Sequence, residues 1–87
     1  MDTQLISKLE QEMTELVSRA VLDTTGREIE IGVEARLIRD GYLDSISMVN
    51  LVFLIQDRYG VEIDVAAINE VSFDSVKRIA AMIAATR

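Results

Sequence analysis

The 87 residues of this chain predict an all-α fold: a small bundle of three main helices and one short one, with a long loop after the first helix. Three observations lead there. Apolar residues recur at spacings of three and four in three separate stretches, the period of a helix with one buried face. The glycines, at positions 26, 32, 41 and 60, fall outside or at the ends of those stretches, where they punctuate the chain. One short alternating run exists, at Ile29, Ile31 and Val33, but no second run could pair with it, and a lone strand leaves its ladder unmade.

Taken in order, residues 3–20 carry Leu5, Leu9, Met13, Leu16, Val17 and Ala20 on one stripe, with Asp2 or Thr3 available to cap the orphan amides. Residues 21–44 lose that period and contain TTG, EIG and RDG, so they read as a long ordered loop in which Ile29, Ile31 and Val33 are pinned into the core. Ser45 to Tyr59 is helical and ends at RYGV. There Gly60 supplies the left-handed residue and Val61 the apolar residue that folds back on the helix. EIDVAAINEV, residues 62–71, is a connection with one short helical turn around 66–70. The last helix starts near Ser72 or Asp74 and presents Val76, Ile79, Ala80 and Ile83 as its stripe.

A chain of this length forms one domain, residues 1–87, with a single modest core. Its apolar fraction of 49% with 28% charged residues suits a folded protein rather than a disordered tail. Cysteine and histidine are both absent, which excludes disulfides and thiolate metal sites and removes the usual general base. The net charge of −6 argues against nucleic acid, favours partners with basic surfaces and helps keep the chain monomeric. No apolar run is long enough for membrane insertion, and residues 1–20 are amphipathic rather than a signal peptide. A cytoplasmic location is the corresponding expectation.

The second helix has two apolar faces. At about 100° per residue, Met48, Leu51, Val52, Ile55 and Tyr59 form one stripe suited to the core. Ile46, Val49 and Phe53 fall on roughly the opposite side, with Asn50 and Asp57 between and beyond them. Either the 21–44 loop folds over this second strip, or the strip docks other proteins, as exposed apolar patches with polar rims do. Ser45, directly before the strip, also has two readings. It or Asp44 can cap the helix, and the unpaired amides and positive dipole at the same place favour an attached phosphate.

GYLDSISMVNLVFLIQDRYGVEI resembles the centre of the acyl carrier protein family, in which a Gly-x-x-Asp-Ser-apolar motif opens the second helix. The match runs through Gly41, Asp44, Ser45 and Ile46, then Val49, Leu51, Val52, Ile55, Tyr59, Gly60, Val61 and Ile63 without a gap. The resemblance implies a non-catalytic carrier in which Ser45 holds covalent 4′-phosphopantetheine, whose thiol bears an acyl or aminoacyl group as a thioester. It implies that Asp44 supports the attachment. The implied partners are a phosphopantetheinyl transferase, an acyl or aminoacyl ligase, and an acyltransferase or condensing enzyme. They would dock on Ile46, Val49, Asn50, Phe53 and Asp57.

Two departures stand out. The family's carriers in fatty-acid synthesis have a second helix rich in acids, whereas here the corresponding face has Ser47, Asn50, Gln56 and Asp57, with Arg58 adding a positive charge. Asp64 stands where a proline is frequent. GYLDSI looks more like the stand-alone carriers of amino-acid, aryl or specialised acyl pathways. The competing function is a non-enzymatic adaptor whose strip binds a partner and whose Ser45 is only a cap. A hydrolase lacks a base for Ser45, since neither Lys8 nor Lys77 sits in a Ser-Lys pattern, and Asp40 with Asp44 reads as a solvated pair rather than a metal site.

Overall fold

The helical stripes assemble around one core. In the computed structural model, which describes residues 3–63 and 73–86, α1 spans Thr3–Thr25, α2 spans Ser45–Tyr59 and α3 spans Val76–Thr86. No strand occurs among the described residues. The short helical turn expected at 66–70 lies outside them.

Helix α1 runs past the expected end at residue 20. Val21 is buried and continues the stripe one turn beyond Val17. The Thr24 and Thr25 hydroxyls bond back to the carbonyls of Ala20 (2.8 Å) and Val21 (2.7 Å), which lets these poor helix formers stay helical. Gly26 ends the helix at φ 74°, with its amide donating to the Leu22 carbonyl (2.9 Å). The first loop therefore begins at 26 rather than 21. Leu5, placed on the core stripe by its spacing, is instead exposed. Helix α2 ends level with Glu12, to which the Tyr59 hydroxyl donates (2.8 Å), about two turns short of Leu5.

Helices α2 and α3 supply the other walls. Leu51, Val52 and Ile55 are buried, with Met48 and Tyr59 half-buried at either end of the same stripe. Val76, Ile79, Ala80 and Ile83 are all buried. Gly60 takes the left-handed conformation at φ 65° and Val61 packs on the core, as the RYGV segment predicts. The Gln56 side chain then accepts from the Ile63 amide (3.0 Å), fixing the direction in which the chain leaves α2. Ser75 caps α3 by accepting from the Arg78 amide (3.1 Å). That helix consequently starts at Val76, slightly later than Ser72 or Asp74 would have it.

The long loop is held by its own buried residues. Ile29 and Ile31 pack against the core as expected, but Val33 is exposed. Its backbone does the anchoring, since the Val33 carbonyl accepts from the Lys77 amide (3.0 Å) in the first turn of α3. Leu37 and Leu43 are fully or nearly buried. The Leu37 amide donates to Asp74 O (2.6 Å) and the Leu43 amide to Leu37 O (2.9 Å). Arg39 adds an ion pair to the Asp74 carboxylate (3.8 Å). The loop is thus laid over the start of α3, and the outer face of α2 stays open.

Candidate functional site at the head of the second helix

Four consecutive features bring the chain into α2. Gly41 adopts φ 80°, a left-handed turn that a side chain would strain, with its amide bonded to Ile38 O (3.1 Å). Leu43 then enters the core and anchors the turn. Asp44 follows in extended conformation, and its carboxylate accepts from the Ser47 amide at 2.7 Å. Asp44 is therefore the cap, and Ser45 is the first residue of the helix. The Ser47 amide, and after it the Ser47 hydroxyl, hold the Asp44 carboxyl below the usual carboxylate range, so it is ionised at neutral pH.

Because Asp44 caps, Ser45 is left free. Its side chain is exposed, and no described residue makes a hydrogen bond to its hydroxyl. The reading of Ser45 as only a cap does not describe this helix. The amides of Ser45 and Ile46, the first two of α2, precede the helical ladder and add partial positive charge beside the hydroxyl.

The apolar strip that begins one residue later is open. Ile46, Val49 and Phe53 are 70%, 54% and 65% exposed, so the loop does not cover them. With Asp23 and Thr24 of α1 they form a shallow groove that reaches Ser45. Asp57 is exposed one turn further along. Asn50 lies at the groove's edge but is half-buried, its side-chain amide turned to the Ala20 carbonyl (3.5 Å).

Ser47 departs most from expectation. Placed on the outer polar face by the comparison with acidic carriers, it is fully buried, and its hydroxyl lies 2.5 Å from that of Thr24. It sits about 100° around the helix from Ile46, which turns it toward α1. The exposed face of α2 is consequently more apolar than its sequence suggests.

Lys77 is paired with Glu34 (3.6 Å) and Asp40 with Arg36 (3.4 Å). Among the described residues no group of three acids is gathered to hold a metal.

A helix-opening serine that its neighbour's cap leaves unbonded, heading an uncovered apolar strip, fits a carrier of a covalent phosphate-linked group. The comparisons with known proteins give the same class. The family model described as phosphopantetheine attachment site matches residues 15–83, and the chain belongs to that family. It is a non-catalytic carrier whose prosthetic group is 4′-phosphopantetheine, attached to a serine. The chain is also similar to D-alanyl carrier protein 2 of Lactiplantibacillus plantarum, at 29% identity over 62 residues, covering 71% of this chain and 78% of that protein. When bound, the group supplies the thiol that this cysteine-free chain lacks. Helix amides and dipole at Ser45 suit its phosphate.

Proposed function

We propose that Ser45 is the serine that bears phosphopantetheine, and that the carrier holds a small aminoacyl or acyl group as a thioester. The observation that carries this reading is the division of labour between neighbours. Asp44 takes the capping bond at 2.7 Å, and Ser45, one residue on, keeps an exposed hydroxyl in the positive field of the helix start. Asp44 supports attachment by fixing that first turn. The phosphodiester joins a flexible arm to a rigid helix end, and partner enzymes perform the chemistry on the thiol at its tip.

The aminoacyl alternative for the cargo draws on the similarity to a D-alanyl carrier. The α2 surface is compatible with it: the strip of Ile46, Val49 and Phe53 is flanked on α2 itself by a single acid, Asp57, with Asp44 before the helix and Asp23 across the groove on α1. The same reading makes the chain a monomeric cytoplasmic carrier. A phosphopantetheinyl transferase, a ligase, and a downstream acyltransferase or condensing enzyme would serve it in turn.

Intact mass after incubation with a broad-specificity transferase, coenzyme A and magnesium tests the attachment. One phosphopantetheine on Ser45 is expected, and Ser45→Ala should gain none while staying folded, since Asp44 retains its bond. Modification at Ser75, or no modification of the wild type by several transferases, defeats the assignment. Adding a D-alanine-activating ligase, ATP and D-alanine to the modified protein tests the cargo. A further alanyl mass that hydroxylamine removes marks an aminoacyl thioester.

A further inference from the structure

We propose that Ser47 and Thr24 are positioning residues for the attachment reaction: their part-buried hydroxyl pair bolts the first turn of α2 to the end of α1 and so sets where the Ser45 hydroxyl points. The proposal rests on the reading of Ser45 as the attachment serine.

The first turn of α2 has few other anchors. Ser45 and Ile46 are exposed and Met48 is half-buried; Ser47 is fully buried. A helix start without packed side chains frays, because its first amides have no intrahelical partners. In this turn the residue that enters the interior carries a hydroxyl rather than a hydrocarbon. A hydrocarbon there would give non-directional burial, whereas a hydroxyl pair fixes an angle and a distance.

The pair is tied into its surroundings on both sides. Each hydroxyl has one proton and can also accept. Thr24 Oγ1 lies 2.8 Å from the Ala20 carbonyl, and the Ser47 hydroxyl also serves the Asp44 carboxylate. A 2.5 Å contact joins Thr24 Oγ1 to Ser47 Oγ, and either hydroxyl can donate in it. On its other side, the Ser47 amide donates to the Asp44 carboxylate at 2.7 Å. Ser47 is thus held from α1 through its side chain while it holds Asp44 through its backbone. Ser45 lies between the two. One turn on, Asn50 donates to the same Ala20 carbonyl at 3.5 Å, which extends the seam along α2.

The Ser47 hydroxyl is buried away from the docking strip, whereas Thr24 lines the groove beside it. Loss of the Ser47 hydroxyl should leave partner binding intact and impair the alignment of Ser45, on which a positioned nucleophile's rate depends. Thr24→Val removes the hydroxyl at nearly constant volume, Thr24→Ser restores it, and Ser47→Ala removes it from the other side.

The test is the steady-state transfer of phosphopantetheine to the full chain by a broad-specificity transferase, with coenzyme A and magnesium. Amide hydrogen exchange at residues 45–49 is measured in parallel. Thr24→Val and Ser47→Ala should each lower kcat about fivefold to tenfold, Ser47→Ala with KM for the carrier unchanged, and exchange in that turn should quicken. Thr24→Ser should return both readouts toward wild type. Wild-type kcat in both Thr24→Val and Ser47→Ala overturns the proposal. So does a Thr24→Ser variant as impaired in kcat as Thr24→Val, or a loss in Ser47→Ala that appears wholly in KM. If Thr24→Val proves too unstable to assay, Ser47→Ala against Thr24→Ser decides alone. Failure of the wild-type chain to be modified would instead strike the assignment of Ser45.

Discussion

Phe53→Asp separates the two faces of α2. Fully burying a phenylalanine side chain contributes about 1.5–3 kcal/mol. Phe53 is 65% exposed, so about two thirds of that, ~1–2 kcal/mol, remains to be gained when a partner covers it. The share already realised in the fold is the smaller remainder, ~0.5–1 kcal/mol. Asp57 lies one turn on, and a like-charge pair at that spacing adds about 0.2–0.5 kcal/mol of destabilisation. A domain of this size loses about 4–8 °C of Tm per kcal/mol, so the variant should melt several degrees lower and still cooperatively. In a complex the loss is larger, because the aromatic anchor is gone and an unpaired carboxylate is desolvated in its place. Charging of the phosphopantetheine form should fall tenfold or more, about 1.4 kcal/mol. The assay pairs thermal melting with the rate at which the ligase that charges the wild type charges the variant. Loading equal to wild type at the same protein concentration would show that partners reach Ser45 from elsewhere. Loss of cooperative melting would show that the strip belongs to the core.

Leu51→Ala empties a fully buried position on the opposite face and should cost about 2–5 kcal/mol; a denaturant midpoint equal to wild type would contradict the core described here. The cap at Asp44 makes a pH-dependent contribution with a definite sign. A carboxyl held below its ordinary range stabilises the fold fully at pH values above that range and loses this contribution as acid protonates it. Melting of wild type and Asp44→Ala should therefore differ at neutral pH and converge as pH falls through and below the ordinary carboxylate range; an unchanging difference would assign the effect to something other than the carboxylate. The strip is apolar but Asp23, Asp44 and Asp57 are exposed around it on a chain of net charge −6, so raising ionic strength should raise the transferase KM for this carrier modestly; a steep rise would assign docking to opposed charges rather than to the strip.

Much of this arrangement can be read directly from residue order, because it depends on local periodicity. The stripes of α1, α2 and α3 follow from spacing, as does the termination of α2 at Gly60. The exposed strip at Ile46, Val49 and Phe53 follows from a helix that cannot bury two opposite faces in a three-helix bundle. Asp44 and Ser45 could be placed at a helix start for the same reason. Which of them caps was not decidable from order, since both side chains can accept from an amide; the extended backbone at Asp44 and its 2.7 Å bond to Ser47 decide it. Leu37, Leu43 and Phe73 carry no period to mark them, and their burial depends on how the loop crosses the start of α3. Leu5 shows the converse, a residue with the correct spacing that lies beyond the end of the helix expected to cover it. Ser47 and Thr24 are 23 positions apart, and nothing local in either segment announces a partner. Their pairing exists only once α1 and α2 are packed, because packing removes the Ser47 hydroxyl from water and leaves it in need of a partner.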